Sequence, residues 1–538
     1  MAKARRIIAV ADSETDPFQI GRLPKPFIWG WFNGDDYREF ETVHDFVDFT
    51  SRTRQICYAH NGGRFDWHFI LDYVDEMTEV SVINGRLSKF KIGHCEFRDS
   101  WNIIPVPLSA YQKTEIDYSI MEASERHKPH NNAEIRKYLY DDCRFLFHLV
   151  SEFISEFGQG LTVAGTAMKQ WRKISGRKVP KDDGSLFAEL RPFYYGGRCQ
   201  VFRSGEITKP FKLADINSAY PYAMLSDHPI GLNYYRLNGE EVETLASDEL
   251  AQSFVEVECI SRGALPMRMP NGSLGFPDDG ERRVYKVTGH EYIAGLETGT
   301  ISQCTLHCAY VFDEFCNFEE YVTHFYEQRN KAKANNDAAR TLLYKLVMNA
   351  LYGKFASNPD KYREYTVMNP EWLDETGCIQ DEEDRTWEYS GDFGRYCLVA
   401  AELTEDMKRY YNLATAASIT GYVRAYLWRA ICKAGGVIYC DTDSIAATEL
   451  DGLQFGTRLG EWTLEGAYSY GAVAGKKLYA FLGHDGVWKT ASKGVRLSPD
   501  EIMEVARGAD VSYTSASPVY SVHRGPHFLT RNIRATGT

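Results

Sequence analysis

The feature that most constrains this chain is a pair of aspartates set between two apolar runs. The segment reads GGVIYCDTDSIAATEL and holds Asp441 and Asp443 at alternate positions. Its pattern predicts two strands joined by a tight turn, with both carboxylates on one face. Burying two carboxylates is unfavourable unless a cation or another partner offsets their charge. The hairpin therefore predicts a metal site, although either aspartate taken alone is typical of an ordinary turn.

Two further segments carry polar side chains that suit the same site. In KLADINSAYPYAM, Asp215 ends an apolar strand and Tyr220 lies where a helix begins. In TLLYKLVMNALYGKFASN, Lys345, Asn349 and Tyr352 share one stripe of a predicted helix. An ammonium group, an amide and a phenol suit a nucleoside triphosphate. The same stripe is equally typical of a solvated helix face, so the pattern alone leaves both readings open.

Four acidic residues near the N-terminus form a second candidate metal site. Asp12 and Glu14 follow the apolar run IIAVA and alternate onto one face of a predicted strand. Asp66 follows two glycines in YAHNGGRFDWHFI, and Tyr138 and Asp142 lie one turn apart on a predicted helix. Two Mg²⁺ or Mn²⁺ ions bound by such oxygens can activate a water and stabilise the leaving oxygen of a phosphodiester. Alone, the D-x-E pair is also typical of a solvated strand end.

Charge is distributed unevenly along the 538 residues. The chain has 61 Lys and Arg against 74 Asp and Glu, a net charge of −13, which excludes a uniformly basic surface. A nucleic-acid partner would therefore need local basic patches. Residues 324–354 carry a net charge of +4 and residues 371–392 one of −8, so the two segments are expected to face different partners. The last seventeen residues hold three Arg and no acid, which predicts a mobile basic tail.

The length and the N-terminus narrow the class of protein further. With 44% hydrophobic residues, the chain is long enough for more than one core. The first apolar run is only five residues long and acids follow it, so neither a signal peptide nor a membrane span is predicted. Twelve irregularly spaced cysteines fit the thiols of a reduced cytoplasm better than a disulfide framework.

The N-terminal acids stand in motifs that resemble the DEDD-type 3′–5′ exonuclease domains of DNA polymerases. The D-x-E pair is followed by N-x3-F-D, with Asn61 and Phe65, and then by Y-x3-D. The resemblance implies that Asn61 and Phe65 contact DNA. Lys113 looks like the catalytic lysine of the protein-primed polymerase exonucleases, and on its own it is equally typical of a surface lysine. Ser13 replaces a residue that is often aromatic in relatives, and we expect it to face away from the metals.

The C-terminal motifs resemble those of family B DNA polymerases. They occur in the family's order as D-x-x-S-x-Y-P from Asp215, K-x3-N-x2-Y-G from Lys345, Y-x-D-T-D-S from Tyr439, and K-x-Y from Lys477 to Tyr479. A further motif, formed by Tyr194, Gly196 and Gly197, resembles the linker motif of the protein-primed subgroup. There it contacts the template and coordinates synthesis with proofreading.

The family B resemblance implies a role for each of these residues. Asp215 and Asp443 would bind the two catalytic ions, with Asp441 in support. Tyr220 would close the sugar pocket against a 2′-hydroxyl, the group that distinguishes RNA from DNA. The incoming nucleotide would be held by Lys345, Asn349 and Tyr352, with Lys333 on the triphosphate. The primer end would be held by Lys477 and Tyr479.

The expected fold combines α/β and α+β domains: a ribonuclease H-like exonuclease domain, then a right-hand polymerase with palm, fingers and thumb. Each active site is expected to use two Mg²⁺ or Mn²⁺ ions. The predicted divisions are residues 1–185 for the exonuclease, 186–225 for the linker motif and first palm segment, 226–325 for an insertion, 326–355 for the fingers, 356–400 for a second insertion, 401–475 for the palm and 476–538 for the thumb.

Spacing and local segments favour the protein-primed subgroup. Met224 and Lys345 are 121 positions apart, and Phe355 and Tyr439 are 84 apart, so each interval has room for an insertion. Segments such as RPFYYGGRCQVF and FRDSWNIIPVPL look like the polymerases of tectiviruses, phages with linear genomes. The resemblance implies DNA template and primer, dNTPs and a terminal protein as partners. The first insertion would dock that protein, in the cytoplasm of the infected bacterium and without a membrane partner.

Two other functions remain compatible with the residues. A family B polymerase that extends ordinary nucleic-acid primers would share every catalytic motif, since the residue chemistry does not distinguish a protein hydroxyl from a sugar hydroxyl. A DNA-binding structural protein whose acids merely hold ions would incorporate no nucleotide. All enzymatic readings require Asp215 and Asp443 to share one site.

Overall fold

The computed structural model of the protein describes residues 6–535. Residues 1–5, on which part of the signal-peptide prediction rests, and residues 536–538, at the end of the basic tail, lie outside this range. Within the described part, no helix is both long enough and apolar enough to cross a membrane.

The N-terminal region has the predicted α/β character. Its strands are β1 (Ile7–Thr15), β2 (Pro26–Phe32), β3 (Tyr37–Phe40), β4 (Gln55–Ala59), β5 (Glu79–Ile83), β6 (Arg86–Ile92) and β7 (Cys95–Asp99). Its helices are α1 (Val43–Ser51), α2 (Pro129–Phe157), α3 (Val163–Ser175) and α4 (Ser185–Leu190). The strands lie in the order β3-β2-β1-β4-β7-β6-β5, with β1, β4 and β7 parallel and the others antiparallel. Three antiparallel strands followed by parallel ones form the sheet of the expected ribonuclease H-like domain.

Helix α2 packs directly on β1 and β2, which brings its acidic face to the end of β1. The helix begins at Pro129, which needs no hydrogen-bond donor in the first turn, and ends at Gly158, whose φ is +79°. Gly30 permits the close approach, because a Cβ there would lie 3.0 Å from the Sγ of Cys143. Asp142 is next to Cys143, so this packing sets the distance between Asp142 and β1.

Residues 199–316 supply strands to several sheets. The strands are β8 (Cys199–Val201), β9 (Gly205–Ile207), β10 (Phe211–Ile216), β11 (His228–Pro229), β12 (Tyr234–Asn238), β13 (Phe254–Ser261), β14 (Met267–Arg268), β15 (Leu274–Gly275), β16 (Arg282–Thr288), β17 (Ile301–Phe312) and β18 (Phe315–Cys316). The helices are α5 (Ala219–Ala223), α6 (Gly239–Val242), α7 (Ser247–Ala251) and α8 (Gly289–Glu297). Strands β12, β17, β13 and β16 form an antiparallel sheet of their own, within the region predicted as the first insertion.

A helical pair and a second set of strands follow. The pair consists of α9 (Glu319–Ala334) and α10 (Ala338–Phe355), and the strands are β19 (Arg363–Met368), β20 (Cys378–Gln380), β21 (Thr386–Phe393) and β22 (Tyr396–Glu402). Strand β19 pairs with β5, with Tyr365 opposite Val80. The segment predicted as the second insertion therefore extends the N-terminal sheet to eleven strands.

The second large sheet carries the C-terminal acids. Its remaining elements are α11 (Leu413–Lys433), β23 (Gly435–Asp441), β24 (Ser444–Glu449), β25 (Trp462–Gly475), β26 (Leu478–Gly483) and β27 (Trp488–Ser492). The order is β27-β26-β25-β10-β24-β23-β8, and β9 also pairs with β25. Strand β10, more than 200 positions earlier in the chain, thus lies between β25 and β24.

The chain ends in small hairpins beside a short helix. These are α12 (Pro499–Ala506), β28 (Val511–Thr514), β29 (Val519–Ser521), β30 (Gly525–His527) and β31 (Thr530–Ile533). Strand β31 pairs with β28, and Val522 is 1% exposed. The prediction of a mobile tail from residue 522 is therefore wrong for the described residues, because apolar side chains among the arginines are packed against other parts of the protein.

Buried aromatic rings join the N-terminal domain to the helical pair. The ring of Trp171 lies 5.4 Å from Phe318 and 5.7 Å from Phe355, and Phe157 lies 6.0 Å from Tyr344. These side chains belong to one continuous core cluster that also includes residues of β1 and of the second sheet. Rings of this size dominate the apolar area that a contact buries.

Candidate active sites

The four N-terminal acids meet at the end of β1. Asp12 and Glu14 are on that strand, Asp66 begins a short turn after β4, and Asp142 faces them from α2. Burial, followed by the charges of Asp66, Glu14 and Asp142, raises the pKa of Asp12 well above its ordinary value. Burial and Asp142 raise the pKa of Glu14 to about 8, and burial raises that of Asp66 to about 6. The predicted cluster is therefore brought together.

Two oxygen atoms of this cluster are buried without a hydrogen-bond partner, Oε1 of Glu14 and Oδ1 of Asp142. A buried carboxylate oxygen without a donor is costly, and a divalent cation is the partner that four converging carboxylates suit. Among residues 6–535 no three His, Cys, Asp or Glu side chains already stand in a coordinating arrangement. Because like charges repel, we expect a bound cation to draw the carboxylates closer. The donor set fits Mg²⁺ or Mn²⁺.

Lys113 and Tyr138 lie beside Asp142, as the motifs predicted. The Nζ atom of Lys113 is 3.9 Å from Oδ2 of Asp142 and 5.6 Å from the centre of the Tyr138 ring. The hydroxyl of Tyr138 lies 3.1 Å from that of Tyr118, a half-exposed residue that the motifs did not single out. The ammonium group of Lys113 and the phenols of Tyr138 and Tyr118 thus lie beside the carboxylates.

The residues predicted to contact DNA lie on the turn that carries Asp66. Asn61 has a left-handed backbone, with φ of +65°, and its side-chain oxygen accepts a hydrogen bond of 2.7 Å from Arg86. Phe65 packs edge to face against Phe18, at 5.6 Å between ring centres. Both side chains are partly exposed next to the carboxylates.

The C-terminal acids also converge. Asp215 on β10 is paired with Ser444 on β24, and the N–H of Ile216 donates a 2.8 Å hydrogen bond to the carbonyl of Asp443. Burial and the charge of Asp443 raise the pKa of Asp215 to about 7, and burial and the charge of Asp441 raise that of Asp443 to about 6. The requirement that Asp215 and Asp443 share one site is met.

Asp441 lies beside the K-x-Y motif. Oδ2 of Asp441 is 3.4 Å from Nζ of Lys477 and accepts a 3.4 Å hydrogen bond from Tyr439. The backbone N–H of Lys477, which has φ of +57°, donates to the hydroxyl of Tyr439 at 3.0 Å. The ring of Tyr479 lies 5.3 Å from that of Tyr439. The hydroxyl of Tyr439 therefore ties the two motifs together.

The predicted nucleotide side chains lie on α5 and α10. Tyr220 and Tyr352 stack face to face, with ring centres 4.0 Å apart and planes 6° apart. The charge of Lys345 lowers the pKa of both Asp215 and Asp443, against the larger effect of burial, so its ammonium group lies near them.

Asn349 and Lys333 are less directly placed at the nucleotide site. The amide of Asn349 donates to the backbone carbonyl of Lys345 at 2.7 Å. Lys333 is exposed in the last turn of α9, and its ammonium group makes no hydrogen bond or ion pair within the described residues, so its role stays a prediction.

The linker motif packs against the catalytic turn. A Cβ on Gly197 would lie 2.8 Å from the side chain of Thr442, so only glycine allows this approach. The N–H of Thr442 donates to the carbonyl of Arg198 at 2.6 Å. Gly196 and Tyr194 precede this contact directly, which puts the predicted template-contacting segment beside Asp441 and Asp443.

Comparison with known proteins agrees with the motifs. The family model for DNA polymerase type B, organellar and viral, matches residues 104–421. A DNA-directed DNA polymerase of Enterobacteria phage PRD1 is 35% identical and is matched over 98% of this chain and 98% of its own length. The chain belongs to this family. It is a family B DNA polymerase of phage type, as the sequence motifs indicated.

Other relatives of the polymerase are more distant. A probable DNA polymerase of Agaricus bitorquis is 24% identical over 82% of this chain and 66% of its own length. A solved structure of Phi29 DNA polymerase complexed with primer-template DNA covers 99% of this chain and all of its own, with a TM-score of 0.73 and 18% identity. This similarity confirms the predicted fold, an exonuclease-type domain followed by a right-hand polymerase domain.

The prediction that Ser13 faces away from the carboxylates is wrong. Its hydroxyl donates a 2.6 Å hydrogen bond to Oδ1 of Asp66, and both residues are buried. The prediction considered only alternation along β1, and the pairing of β1 with β2 is indeed regular from Val10 to Glu14. Asp66 lies in a separate turn after β4, and alternation along β1 cannot predict which β1 side chain this turn contacts.

Two charged residues of the polymerase site were missed. Glu465 on β25 lies near Asp215 and Asp443, because its charge contributes to the raised pKa of both. Arg424, on the buried helix α11, donates to the carbonyls of Tyr195 at 2.6 Å and Gly196 at 2.8 Å. Arg424 stands in an otherwise apolar stretch, SITGYVRAYLW, and an arginine in such a stretch is a signal that could have been used.

Arg424, which holds the linker motif, also contacts the region predicted as the first insertion. Nε of Arg424 donates to Oε1 of Glu291 at 2.7 Å, and both side chains are 2% exposed. The other oxygen of Glu291 accepts from the backbone and hydroxyl of Thr288, at the start of α8. The carboxylate is thus fully partnered, as a buried charge requires.

Proposed function

We propose that this polymerase copies DNA at the site of Asp215 and Asp443 and removes nucleotides from 3′ ends at the site of Asp12, Glu14, Asp66 and Asp142. The observation that carries the proposal is the convergence of Asp215, on β10, with Asp443, in the turn before the neighbouring strand β24; a 2.8 Å backbone hydrogen bond from Ile216 to Asp443 joins the two segments. Residues from two parts of the chain more than 200 positions apart thereby form one acidic site.

At the polymerase site, Asp215 and Asp443 would hold two Mg²⁺ or Mn²⁺ ions, with Asp441 in support. When bound, these ions would activate the primer hydroxyl and offset charge on the departing pyrophosphate. The protein's own contribution is to fix the two carboxylates through strand pairing and to add the positive charge of Lys345 for the triphosphate. Lys477 and Tyr479, next to Asp441, would hold the primer end.

The stacked tyrosines suit selection of the sugar. Tyr352 supports one face of Tyr220 over its whole ring, so the Tyr220 side chain is held in a single orientation. A fixed phenol beside the catalytic turn would exclude a 2′-hydroxyl by contact and admit deoxynucleotides. Asn349, on the same helical stripe as Tyr352, would complete the nucleotide pocket.

At the exonuclease site, the four acids would hold two ions that supply an activated water and stabilise the leaving 3′-oxygen. The orphaned oxygens of Glu14 and Asp142 support this assignment. Lys113 lies close enough to Asp142 to offset charge on the scissile phosphate, and Tyr138 to orient the attacking water. Asn61 and Phe65 would hold the last nucleotides of a single strand.

We further propose that the first primer is a side-chain hydroxyl of a phage terminal protein, used to replicate a linear genome in the cytoplasm of the infected bacterium. The match to the PRD1 enzyme along nearly the whole chain supports it, together with the linker motif and the separate sheet of β12, β13, β16 and β17. That sheet is the proposed docking region for the terminal protein.

The test is to incubate the polymerase with its phage's terminal protein, Mg²⁺ and labelled dATP or dGTP, beside a primed DNA template. We expect label on the protein and on the extended primer. Extension of the DNA primer without labelled protein would favour a polymerase that uses nucleic-acid primers. No incorporation in either reaction would contradict polymerase function altogether.

A further inference from the structure

The hairpin formed by β29 and β30 packs on the N-terminal domain. Val522, between the two strands, is 1% exposed and belongs to the same core cluster as Trp67 and Leu71 of that domain. The ring of His523 lies 2.9 Å from the hydroxyl of Ser390 on β21, in the extended part of the N-terminal sheet. The C-terminal end of the polymerase thus forms part of the surface of the exonuclease-type domain.

Tyr520 of this hairpin reaches the turn that carries Asp66. Its ring centre lies 5.5 Å from that of Phe65, at 87° between planes, 5.3 Å from His68 and 5.6 Å from Phe69. Tyr520 is only 5% exposed. Its ring is therefore enclosed by the residues on both sides of Asp66.

Phe65 needs such support because no regular element fixes it. It lies between two short turns, with φ of −151° and ψ of −89°, and is partly exposed. Apart from Tyr520, the aromatic ring that contacts Phe65 from outside its own turn is that of Phe18, which is 47% exposed. An exposed neighbour constrains a side chain less than a buried one does. The buried Tyr520 ring is thus the contact that most restricts the orientation of the Phe65 ring.

We propose that Tyr520 is a positioning residue of the exonuclease site: its ring orients Phe65, which holds the last base of a single-stranded 3′ end. The inference rests on the proposed exonuclease function. Aromatic rings bind unpaired bases by stacking, and that contact depends on the angle of the ring. The polymerase part of the chain thereby sets how tightly the exonuclease holds its substrate.

The test uses the full-length protein and steady-state degradation of a 5′-labelled single-stranded oligonucleotide. For Tyr520→Ala we expect KM to rise about tenfold, the order of one lost aromatic contact, with kcat within about twofold. Tyr520→Phe should behave as the wild type, since the ring and not the hydroxyl is invoked. Primer extension by each variant reports on its folding.

Two results would overturn the inference: an unchanged KM in Tyr520→Ala, or an equal rise of KM in Tyr520→Phe. A variant Tyr520→Leu keeps the site buried if the alanine variant unfolds, and it should raise KM as well. In a Phe65→Ala background, Tyr520→Ala should add no further effect, and an additive effect would contradict action through Phe65. Failure of the proposed exonuclease itself would look different, because the wild type would then degrade no DNA.

Discussion

The two acidic sites of the polymerase are built from the same kind of side chain, but the carboxylates are held in place in different ways. Asp215 and Asp441 lie at the ends of strands of one sheet, and Asp443 lies in the turn that follows Asp441, so the register of that sheet fixes all three. The acids of the exonuclease-type site come from a strand, a turn and a helix. Their arrangement depends on the packing of α2 at Gly30 and on the hydrogen bond from Ser13.

The electrostatic surroundings differ as well. Lys345 and Lys477 offset part of the charge at the polymerase site. At the other site, Lys113 lies 3.9 Å from Asp142, yet Oε1 of Glu14 and Oδ1 of Asp142 are still buried without a donor. The comparison teaches that the register of a sheet can preorganise acids, whereas a site assembled from separate elements relies on a side-chain hydrogen bond and on the packing of a helix.

The largest expected effect separates the two sites. Asp443→Ala should reduce DNA synthesis by more than about 10²-fold, because a carboxylate proposed to hold a catalytic ion is lost, and leave degradation of single strands intact. Asp12→Ala combined with Asp66→Ala should do the reverse. Primer extension and 3′-end degradation, measured on each purified variant, check both. If both activities fall together in folded protein, the division into two sites is wrong.

The next effect tests the side-chain bond that holds Asp66. Ser13→Ala should lower exonuclease activity by about 10- to 100-fold, the range for partners of metal ligands, and raise the Mg²⁺ concentration needed for half activity. Ser13→Thr keeps the hydroxyl and should recover much of the loss. Ser88→Ala removes another buried serine hydroxyl of the same domain and is the matched control. Equal activity in Ser13→Ala and wild type would show that the Ser13 hydroxyl does not contribute to exonuclease activity.

A third effect concerns stability without divalent cations. The folded-state pKa values of about 8 for Glu14 and about 7 for Asp215 exceed the ordinary values, so the folded protein binds protons more tightly than the unfolded chain. Stability is therefore expected to fall as pH rises from about 4.5 through 8 in EDTA. Added Mg²⁺ should reverse the loss above pH 7, as seen by thermal unfolding.

A pair of variants sharpens this prediction. Glu14→Gln should flatten the fall in Tm more than Asp215→Asn does, because the pKa of Glu14, about 8, is raised further than that of Asp215, about 7, and one Glu14 oxygen is buried without a donor. A steeper dependence on pH in Glu14→Gln than in wild type would contradict the electrostatic comparison.

The smallest expected effect tests the lysines of the polymerase site. Lys477→Ala should raise the KM for primed template by about two- to fivefold, because an exposed charge contributes little. Lys476→Ala, at the neighbouring exposed position, is the control and should have no effect on KM. An identical change in both variants would assign the effect to general surface charge.

The sequence by itself determined the order of the motifs, both sets of acids and the family, because those residues must be of one type at fixed local spacing. The D-T-D turn could be predicted from the alternation of side chains along its flanking strands. The polar stripe of Lys345, Asn349 and Tyr352 could be predicted from the helical period of α10. Tertiary structure alone decided that Ser13 bonds to Asp66, that β19 joins the N-terminal sheet, and that Arg424 holds the linker motif. Each of these contacts joins residues from distant parts of the chain. Local periodicity carries no information about such partners, since they are chosen by the packing of whole elements against one another.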